Sequence, residues 1–244
     1  MRSRLKTEAL PTSLPFKYLG GDASLDLVNT VDWTRRGLAH ERLTSYDRLT
    51  RWAEGAGLVR GPDGERLRAA ARKRSRQAKA TLQRAKKLRA VLQQIYQSIA
   101  SGDSPEPVWE GFNRELAGAM RQLRLGPRGS HRQEVRASWR WDVPEGTLDS
   151  FLGPVVWSAA KLLTSEEAAR VRACRGTDCG WMYVDRSRNG LRRWCAMETC
   201  GTPEKTRRRR ERRRRQKNVS TRMRHSGTAS ARSSFREARR QGLR

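Results

Sequence analysis

The sequence predicts a mainly α-helical fold: an N-terminal helical domain, a small four-cysteine module with a ββα-like order of elements, and a disordered basic tail. Three observations support this prediction. Apolar residues recur at helical spacing over most of residues 16–171. All four cysteines lie between positions 174 and 200, and a dense arginine run follows them. From residue 218 onward the chain is polar and rich in serine and arginine, and such a composition buries too little apolar surface to fold.

The composition favours a nucleic-acid partner. The chain of 244 residues has a formal net charge of +28 and only 36% hydrophobic residues. A charge this large, clustered at one end, attracts a polyanion, most simply nucleic acid; solubility alone is the weaker interpretation. No apolar run approaches the roughly 18 residues that indicate a membrane span, and the start of the chain has no apolar signal-peptide region. We therefore expect a cytoplasmic, nucleoid-associated protein with no membrane partner.

The first two helices of the domain are indicated by their caps and their apolar faces. After a flexible lead over residues 1–15, "GGDASLDLVNTVDW" predicts a short helix that Asp22 or Ser24 caps. "LTSYDRLTRWAEGAGL" predicts a second helix, with Thr44 or Ser45 as its cap. The apolar residues at helical spacing are Leu25, Val28 and Val31 in the first helix, and Tyr46, Leu49, Trp52 and Ala53 in the second.

The longest helical signal covers residues 61–103. Its first half is alanine-rich and basic, so we expect that half to project into solvent or to contact a partner. Its second half carries apolar residues at helical spacing, namely Leu82, Ala85, Leu88, Leu92, Ile95, Tyr96 and Ile99. "SPEPVWEGFNRELAGAMRQLRL" predicts another helix, which starts after Pro107.

Two further segments complete the helical domain. "HRQEVRASWRW" alternates weakly between apolar and polar residues and predicts one strand or two. "EGTLDSFLGPVVWSAAKLLTSEEAARVRAC" predicts a helix with a break near Gly153 and Pro154. A short helix capped by Thr164 or Ser165 is expected to follow it.

The cysteines form two pairs with the spacing C-x4-C-x15-C-x4-C, at Cys174, Cys179, Cys195 and Cys200. Two close pairs on turns supply the four ligands of a tetrahedral zinc ion, so we predict one structural Zn²⁺ at these residues. Such a shell is complete and leaves no open position for a substrate. Two disulfides are the nearest alternative, although a cytoplasmic chain is kept reduced. An iron–sulfur cluster is a further alternative.

The segment between the two cysteine pairs predicts a small hairpin. "WMYV" is strand-like, "DRSRNG" is a turn, and "LRRW" returns as a second strand. Its aromatic residues Trp181, Tyr183 and Trp194 have two interpretations. They pack around the metal, which is the commoner role of aromatic residues, or they stack on the bases of a single strand.

A basic helix is predicted to leave the metal site in "GTPEKTRRRRERRRRQK", with Thr202 as its cap, Pro203 in the first position and Glu204 in the first turn. Its arginines repel one another unless a phosphate backbone neutralises them, so we expect contact with DNA, most simply duplex DNA. A solubilising tail is the alternative. The predicted nucleic-acid-binding residues are Arg186, Arg188, Arg192, Arg193, Lys205, Arg207, Arg208, Arg209, Arg210, Arg212, Arg213 and Arg214.

A second and weaker candidate site lies near the N-terminus, where Asp26, Asn29 and Thr30 can line a small ligand pocket. Capping and bridging of helices is the favoured interpretation of these three residues. The histidines His40, His131 and His225 are isolated in the sequence and are assigned to no metal. The sequence contains no nucleotide-binding or catalytic motif, so we predict no enzymatic activity and assign no catalytic residue.

Two stretches of the chain resemble the CGNR zinc-finger family of bacterial proteins. "VRACRGTDCGWMYVDRSRNGLRRWCAMETCG" at 171–201 is similar to the four-cysteine finger of that family. "LGGDASLDLVNTVDW" and "ERLTSYDRLTRWAEGAGLV" are similar to its N-terminal helical region, the ABATE domain. The resemblance covers most of residues 16–217. One departure is that the Cys-Gly-Asn-Arg signature of the family stands here as Cys200-Gly201-Thr202-Pro203, although Lys205 and the arginines after it keep the basic character.

The resemblance implies an ABATE-like helical domain over 16–171 and a CGNR-type zinc finger with a basic helix over 172–217, followed by the disordered tail over 218–244. It implies a zinc-stabilised DNA-binding protein that acts as a stress-linked bacterial transcriptional regulator. An RNA-binding or ribosome-associated zinc protein is the alternative. The helical domain is expected either to form a homodimer or to sense a signal.

Overall fold

The structure is a computed structural model that describes residues 15–34, 37–103, 106–128 and 136–216. The predicted lead, apart from residue 15, and the predicted tail lie outside the described residues, as do His131 and His225. The chain divides into two compact units, Met1–Ala196 and Met197–Arg244. In the described residues, the first unit is mostly helical and ends in a small β-hairpin, and the second contains one long helix. The predicted mainly α-helical fold with a four-cysteine ββα-like module is confirmed.

The helices of the first unit are, in chain order, α1 (Ala23–Val28), α2 (Tyr46–Gly55), α3 (Gly61–Lys73), α4 (Ser75–Ser101), α5 (Glu106–Met120) and α6 (Leu152–Leu163). Its strands are β1 (Val31–Thr34), β2 (Gly37–Glu41), β3 (Leu123–Arg128), β4 (Arg136–Trp141), β5 (Val171–Ala173) and β6 (Met182–Val184). A 3₁₀-helix at Glu166–Arg170 joins α6 to β5. Among the described residues, no helix combines the length and the apolar character needed to cross a membrane.

The first two helices begin at capping residues that the sequence indicates. The carboxylate of Asp22 accepts a hydrogen bond from the Ser24 N–H at 2.8 Å, and the Ser45 hydroxyl accepts one from the Arg48 N–H at 3.1 Å. Each bond satisfies an N–H that has no partner inside the helix. Val31, expected on the first helix, instead begins β1, because α1 ends at Val28.

The long helical signal of residues 61–103 is divided between α3 and α4. The chain turns at Arg74, whose backbone angles (φ −125°, ψ 52°) are not helical. Leu67 and Ala71 of α3 are buried in the core, so one face of this half packs on the domain while residues 72–77 are exposed, and contact with a partner stays a prediction. Two shorter helices can each turn an apolar face to one core, whereas one straight helix of this length cannot.

The core is organised around α4, which packs against α1, α2, α3, α5 and strand β5. Its apolar face is fully or almost fully buried over Leu88, Leu92, Ile95 and Tyr96. Helix α6 packs against α1 and α5 and completes the layer. It starts at Leu152 with Gly153 and Pro154 in its first turn, so the predicted break is the beginning of the helix.

Three two-stranded antiparallel sheets accompany the helices. β1 pairs with β2, and β3 pairs with β4. Of these four strands, the sequence predicts β4 and does not predict β1, β2 or β3. β6, the predicted "WMYV" strand, pairs with β5 at Val171–Ala173. The predicted return strand "LRRW" is wrong, because residues 191–194 are not in a strand and β5 takes their expected place beside β6.

The second unit begins with a π-helical turn at Met197–Gly201, which leads directly into helix α7 over residues 202–216. The predicted basic helix is therefore present. Thr202 does not stand outside it as a cap, because the helical turn before it already includes Cys200.

Candidate metal centre and basic helix

The sulfur atoms of the four cysteines lie together. The Sγ atoms of Cys174, Cys179, Cys195 and Cys200 are all within 4.8 Å of one another, and none of the four forms a disulfide. The Cys179 and Cys195 sulfurs are 3.8 Å apart. A tetrahedral zinc ion with Zn–S bonds of about 2.3 Å requires sulfur–sulfur distances of about 3.8 Å. The geometry fits one tetrahedral zinc ion and leaves no ligand position for a substrate.

The backbone around Cys174 favours the thiolate, which is the form that binds metal. The neighbouring side chains of Cys179 and Cys195 are the main reason that the pKa of the Cys174 thiol lies below that of a free thiol. The N–H groups of Cys195, at 3.3 Å, and Gly176, at 3.4 Å, donate to the Cys174 sulfur. Bound zinc would be held by these four sulfurs and would supply folding energy to the module.

The hairpin that carries the first cysteine pair is built into the helical domain. The Asn29 side chain, at the end of α1, donates to the Met182 carbonyl and accepts from the Met182 N–H, both at 2.8 Å. The indole N–H of Trp181 donates to the Val31 carbonyl at 2.9 Å. The Val184 N–H donates to the Gly20 carbonyl at 2.9 Å. β6 and the residue before it are thus fixed to the segment around α1 at three positions, Trp181, Met182 and Val184.

The candidate pocket residues near the N-terminus have protein partners. Asp26 is buried and accepts a hydrogen bond from the Gly20 N–H at 2.8 Å. Burial raises the pKa of Asp26 to about 6, although the hydrogen bond from Gly20 lowers it. The Thr30 hydroxyl donates to the Leu27 carbonyl at 2.6 Å and accepts from Arg89 at 3.0 Å. Together with Asn29, these residues have the bridging contacts expected of structural residues, and a ligand pocket here stays a prediction.

The aromatic residues of the finger differ in exposure. Trp181 and Tyr183 are buried, and the Tyr183 hydroxyl donates to the Arg192 carbonyl at 2.8 Å. Trp194 is half-buried beneath the guanidinium of Arg193, 5.7 Å from the ring centre. The packing interpretation therefore accounts for Trp181 and Tyr183, whose rings are not available to stack on bases.

Two of the candidate DNA-binding arginines in the loop bind within the first unit. Arg186 forms a bidentate ion pair with Glu167, at 2.6 and 2.8 Å, and donates to the Gly21 carbonyl. The guanidinium of Arg192 lies 4.0 Å from the centre of the Tyr183 ring and donates to the carbonyls of Trp194 and Cys195. Arg188 is exposed. The loop arginines thus serve different purposes despite their similar sequence context.

Asp185 organises this loop and is not among the residues that the sequence predicts as functional. Its carboxylate is buried and accepts hydrogen bonds from the Ser187 N–H and hydroxyl and from the Arg192 N–H, between 2.6 and 2.9 Å. Burial raises the pKa of Asp185, but these hydrogen bonds outweigh it and hold the pKa below its ordinary value. An aspartate at the first position of the "DRSRNG" turn is the available signal, since aspartate side chains commonly cap turns two residues on.

The arginines of α7 fall into two sets. Glu204, only 5% exposed, pairs with Arg207 at 2.6 Å and with Arg208 at 3.2 Å, and Arg207 also pairs with Glu211. The exposed arginines without an ion pair among the described residues are Arg209, Arg210, Arg212, Arg213, Arg214 and Arg215. Because Glu204 and Glu211 are seven residues apart, both acids lie on one side of the helix.

The opposite side of α7 carries no acid. Helical spacing places Arg209, Arg210 and Arg213 on it. We call these three residues the acid-free face. They are all exposed, and all belong to the predicted nucleic-acid-binding set.

Comparison with known proteins identifies two matching families. The ABATE family, described as "Putative stress-induced transcription regulator", matches residues 21–166, and the CGNR zinc finger matches residues 170–213. The chain belongs to the ABATE and CGNR zinc-finger family. No curated protein matches it.

Membership of the ABATE and CGNR zinc-finger family agrees with the geometry of the cysteines. The match over residues 170–213 contains all four of them, and they form the zinc site of the finger. The predicted zinc ion on a CGNR finger is therefore confirmed. The family description is that of a transcription regulator, not of an enzyme.

Proposed function

We propose that this ABATE and CGNR zinc-finger protein is a zinc-stabilised regulator that grips duplex DNA with α7. The observation that carries the proposal is the acid-free face of that helix. Three arginines on one side, with both carboxylates on the other, form a stripe of charge along the helix. Such a stripe destabilises an isolated helix and is relieved when phosphates replace the missing counter-charges.

The metal centre contributes by fixing where this helix begins. Cys200, a zinc ligand, lies in the π-helical turn that runs into α7. With one end of the helix fixed, less conformational entropy is lost when the arginines meet the phosphate backbone. The zinc ion therefore acts on DNA binding through the helix and has no chemical role of its own.

Duplex DNA is preferred over RNA as the partner for a structural reason. Sequence-specific RNA binding depends on aromatic side chains that stack on unpaired bases. Trp181 and Tyr183 are buried in the protein and do not offer such a platform. The regular, closely spaced phosphates of a duplex suit a straight helix with a charged stripe.

The proposal is tested with Arg209→Gln and Arg213→Gln combined, which removes two charges from the acid-free face and leaves Glu204 and its partners in place. If each arginine neutralises one phosphate, the slope of log affinity against log salt becomes less steep by about 0.9 per residue, so by about 1.8 in all. Affinity at physiological salt falls roughly tenfold to thirtyfold. Fluorescence anisotropy with a labelled duplex, measured over a salt series, gives both quantities.

The matched control is Arg114→Gln with Lys161→Gln, which removes two exposed charges from α5 and α6. It should leave the salt slope unchanged. The proposal is wrong if the wild-type chain shows no salt-dependent affinity for duplex DNA. It is also wrong if the two double variants bind alike, or if structured RNA displaces the duplex at equal concentration.

A further inference from the structure

The β3–β4 hairpin is a two-stranded ribbon with two chemically different faces. Its register is regular over six residue pairs. Alternate pairs join apolar residues, Leu123 with Trp141 and Leu125 with Trp139. The pairs between them carry Arg124 opposite Arg140 and Gly126 opposite Ser138, and the last pair of the register is Arg128 with Arg136.

Among the described residues of the ribbon, those at its inner end are held by the core. Leu123 is buried, and the ring of Trp141 lies over Gly153, the second residue of α6. One step further out, Leu125 is 60% exposed and Trp139 is 55% exposed. Trp139 keeps one aromatic neighbour, Trp157, at 6.0 Å between ring centres. At this step of the ribbon, Leu125 and Trp139 therefore present apolar surface to solvent, and Arg124 and Arg140 are exposed on the other face.

The positive charge of the arginine face is only partly balanced within the described residues, although Arg124 also donates to the carbonyls of Arg121 and Leu123. Like charges directly opposite each other on adjacent strands destabilise a sheet. Arg124 has one carboxylate partner among the described residues, Asp142 at 3.6 Å, and both side chains are at least half exposed, so this pair screens little charge. Arg140 has no ion pair within the described parts of the chain, and its guanidinium lies close to Gly126, where there is no side chain to cover it.

We propose that this ribbon is a second DNA-binding surface, separate from α7, and that it inserts into the major groove of duplex DNA. The major groove of B-form DNA is about 12 Å wide and admits a two-stranded ribbon. Arg124 and Arg140 contact phosphates or base edges along the groove. The exposed Leu125 and Trp139 pack against sugars and thymine methyl groups.

The charge and shape of the ribbon favour duplex DNA over the other partners that could bind it. Among the described side chains of residues 121–142, Arg121, Arg124 and Arg140 outnumber the one acid, Asp142, so a second copy of this chain would bring like charges together. The major groove of an RNA helix is too narrow and deep for a ribbon. An anionic membrane surface shares the charge of DNA but offers no groove, and it is a separate arm of the test.

This inference rests on the proposed function, because it requires that the chain binds duplex DNA. The experiment below distinguishes a failure of the ribbon proposal from a failure of the proposed function. Arg124→Gln with Arg140→Gln is compared with the wild-type chain, with Arg114→Gln/Lys161→Gln, and with Arg209→Gln/Arg213→Gln, in the full zinc-loaded protein. We expect the ribbon variant to bind duplex DNA roughly tenfold more weakly at physiological salt, with the salt slope less steep by about 0.9–1.8. We expect its effect to add to that of the α7 variant, because the two surfaces contribute independently.

A second measurement locates the contact. Hydroxyl-radical footprints of the wild-type chain should protect a backbone segment that the ribbon variant leaves exposed and that the α7 variant still protects. Far-UV circular dichroism of each variant verifies that the fold is retained. The ribbon proposal is wrong if its variant binds duplex DNA with wild-type affinity and slope, or if it loses binding only to vesicles of anionic lipid. If the wild-type chain does not bind the duplex, the proposed function is wrong, and the ribbon proposal is wrong with it.

Discussion

Asn29 shows how one side chain can join two parts of the molecule. It donates to and accepts from the backbone of Met182, and thereby satisfies two buried polar groups of β6 with one short amide. No apolar residue could do this, because the Met182 N–H and carbonyl would then be buried without partners. The residue is far from the cysteines in sequence, yet it holds the strand that lies between the two cysteine pairs.

Replacing Asn29 by alanine should therefore be costly. Two buried backbone groups lose their partners at once, and we expect the free energy of unfolding to fall by roughly 2–4 kcal/mol. Urea denaturation followed by circular dichroism measures the change. Asn113→Ala, at an exposed position of α5, is the matched control and should change stability by less than about 0.5 kcal/mol. Equal effects of the two substitutions would contradict the assigned role.

Arginine gives a second lesson at the scale of residues. Arg186 is held by Glu167 and Gly21, Arg207 is held by Glu204 and Glu211, and Arg209 has no ion pair among the described residues. The number of arginines in a sequence thus overstates the number available to a phosphate backbone. The number of arginines that can bind phosphate is better measured by those without an acidic neighbour in space. The sequence predicts such neighbours only within a helix, where residues three or four apart are adjacent.

At the scale of elements, the β3–β4 ribbon depends on a close contact with α6. A Cβ atom at Gly153 would lie 2.8 Å from Cζ3 of Trp141 and 3.2 Å from Cε3. The glycine is needed here for space, since its backbone conformation is an ordinary helical one. The contact anchors the inner end of the ribbon, whereas Leu125 and Trp139, one step further out, are more than half exposed.

Gly153→Ala should loosen this anchor. The Trp141 ring must move, and we expect a loss of about 1–3 kcal/mol in stability. Gly111→Ala in α5 is the control: its Cβ would meet only Val91, at an ordinary 3.6 Å, and alanine is the better helix former, so we expect a gain of about 0.5–1 kcal/mol. Thermal unfolding of both variants tests the opposite signs. A neutral Gly153→Ala variant would show that the ring is not confined.

At the scale of the whole molecule, the zinc finger is not an appendage of the helical domain. Val171, Met182 and Val184 of the β5–β6 hairpin belong to the same hydrophobic core as the residues of α1, α4 and α6. Three of the four cysteines lie in the unit Met1–Ala196 together with this core. The free energy of zinc binding is therefore linked to the stability of the helices.

Zinc removal should consequently weaken the helical domain. With a strong chelator under reducing conditions, we expect the midpoint of thermal unfolding, followed at 222 nm, to fall by more than about 10 °C. Added Zn²⁺ should restore the midpoint, and added Mg²⁺ should not, because thiolates select the softer ion. If metal analysis shows that the zinc is gone and the helical transition is unchanged, the finger and the helices are energetically independent.

Local signals in the sequence were sufficient for some features of this fold and insufficient for others. The caps of α1 and α2 and the cysteine spacing are set by neighbouring residues, and they could be predicted. The turn at Arg74 follows from the packing of α3 and α4 on one shared core. No glycine or proline marks it in the sequence, so it could not be predicted. The pairing of β6 with β5 rather than with residues 191–194 depends on contacts across the first cysteine pair, and strand pairing of this kind leaves little trace in local pattern.

The pair of bonds between Asn29 and Met182 also bears on how this protein can change over evolutionary time. Because both bonds end on the main chain, they are insensitive to which side chain occupies position 182, where only fit to the core is selected. Position 29 has no such freedom. Aspartate would place a negative charge against the Met182 carbonyl, and leucine would leave the Met182 N–H and carbonyl without hydrogen-bond partners. Among descendants of this chain, we expect substitutions between apolar residues at position 182 and almost none at position 29.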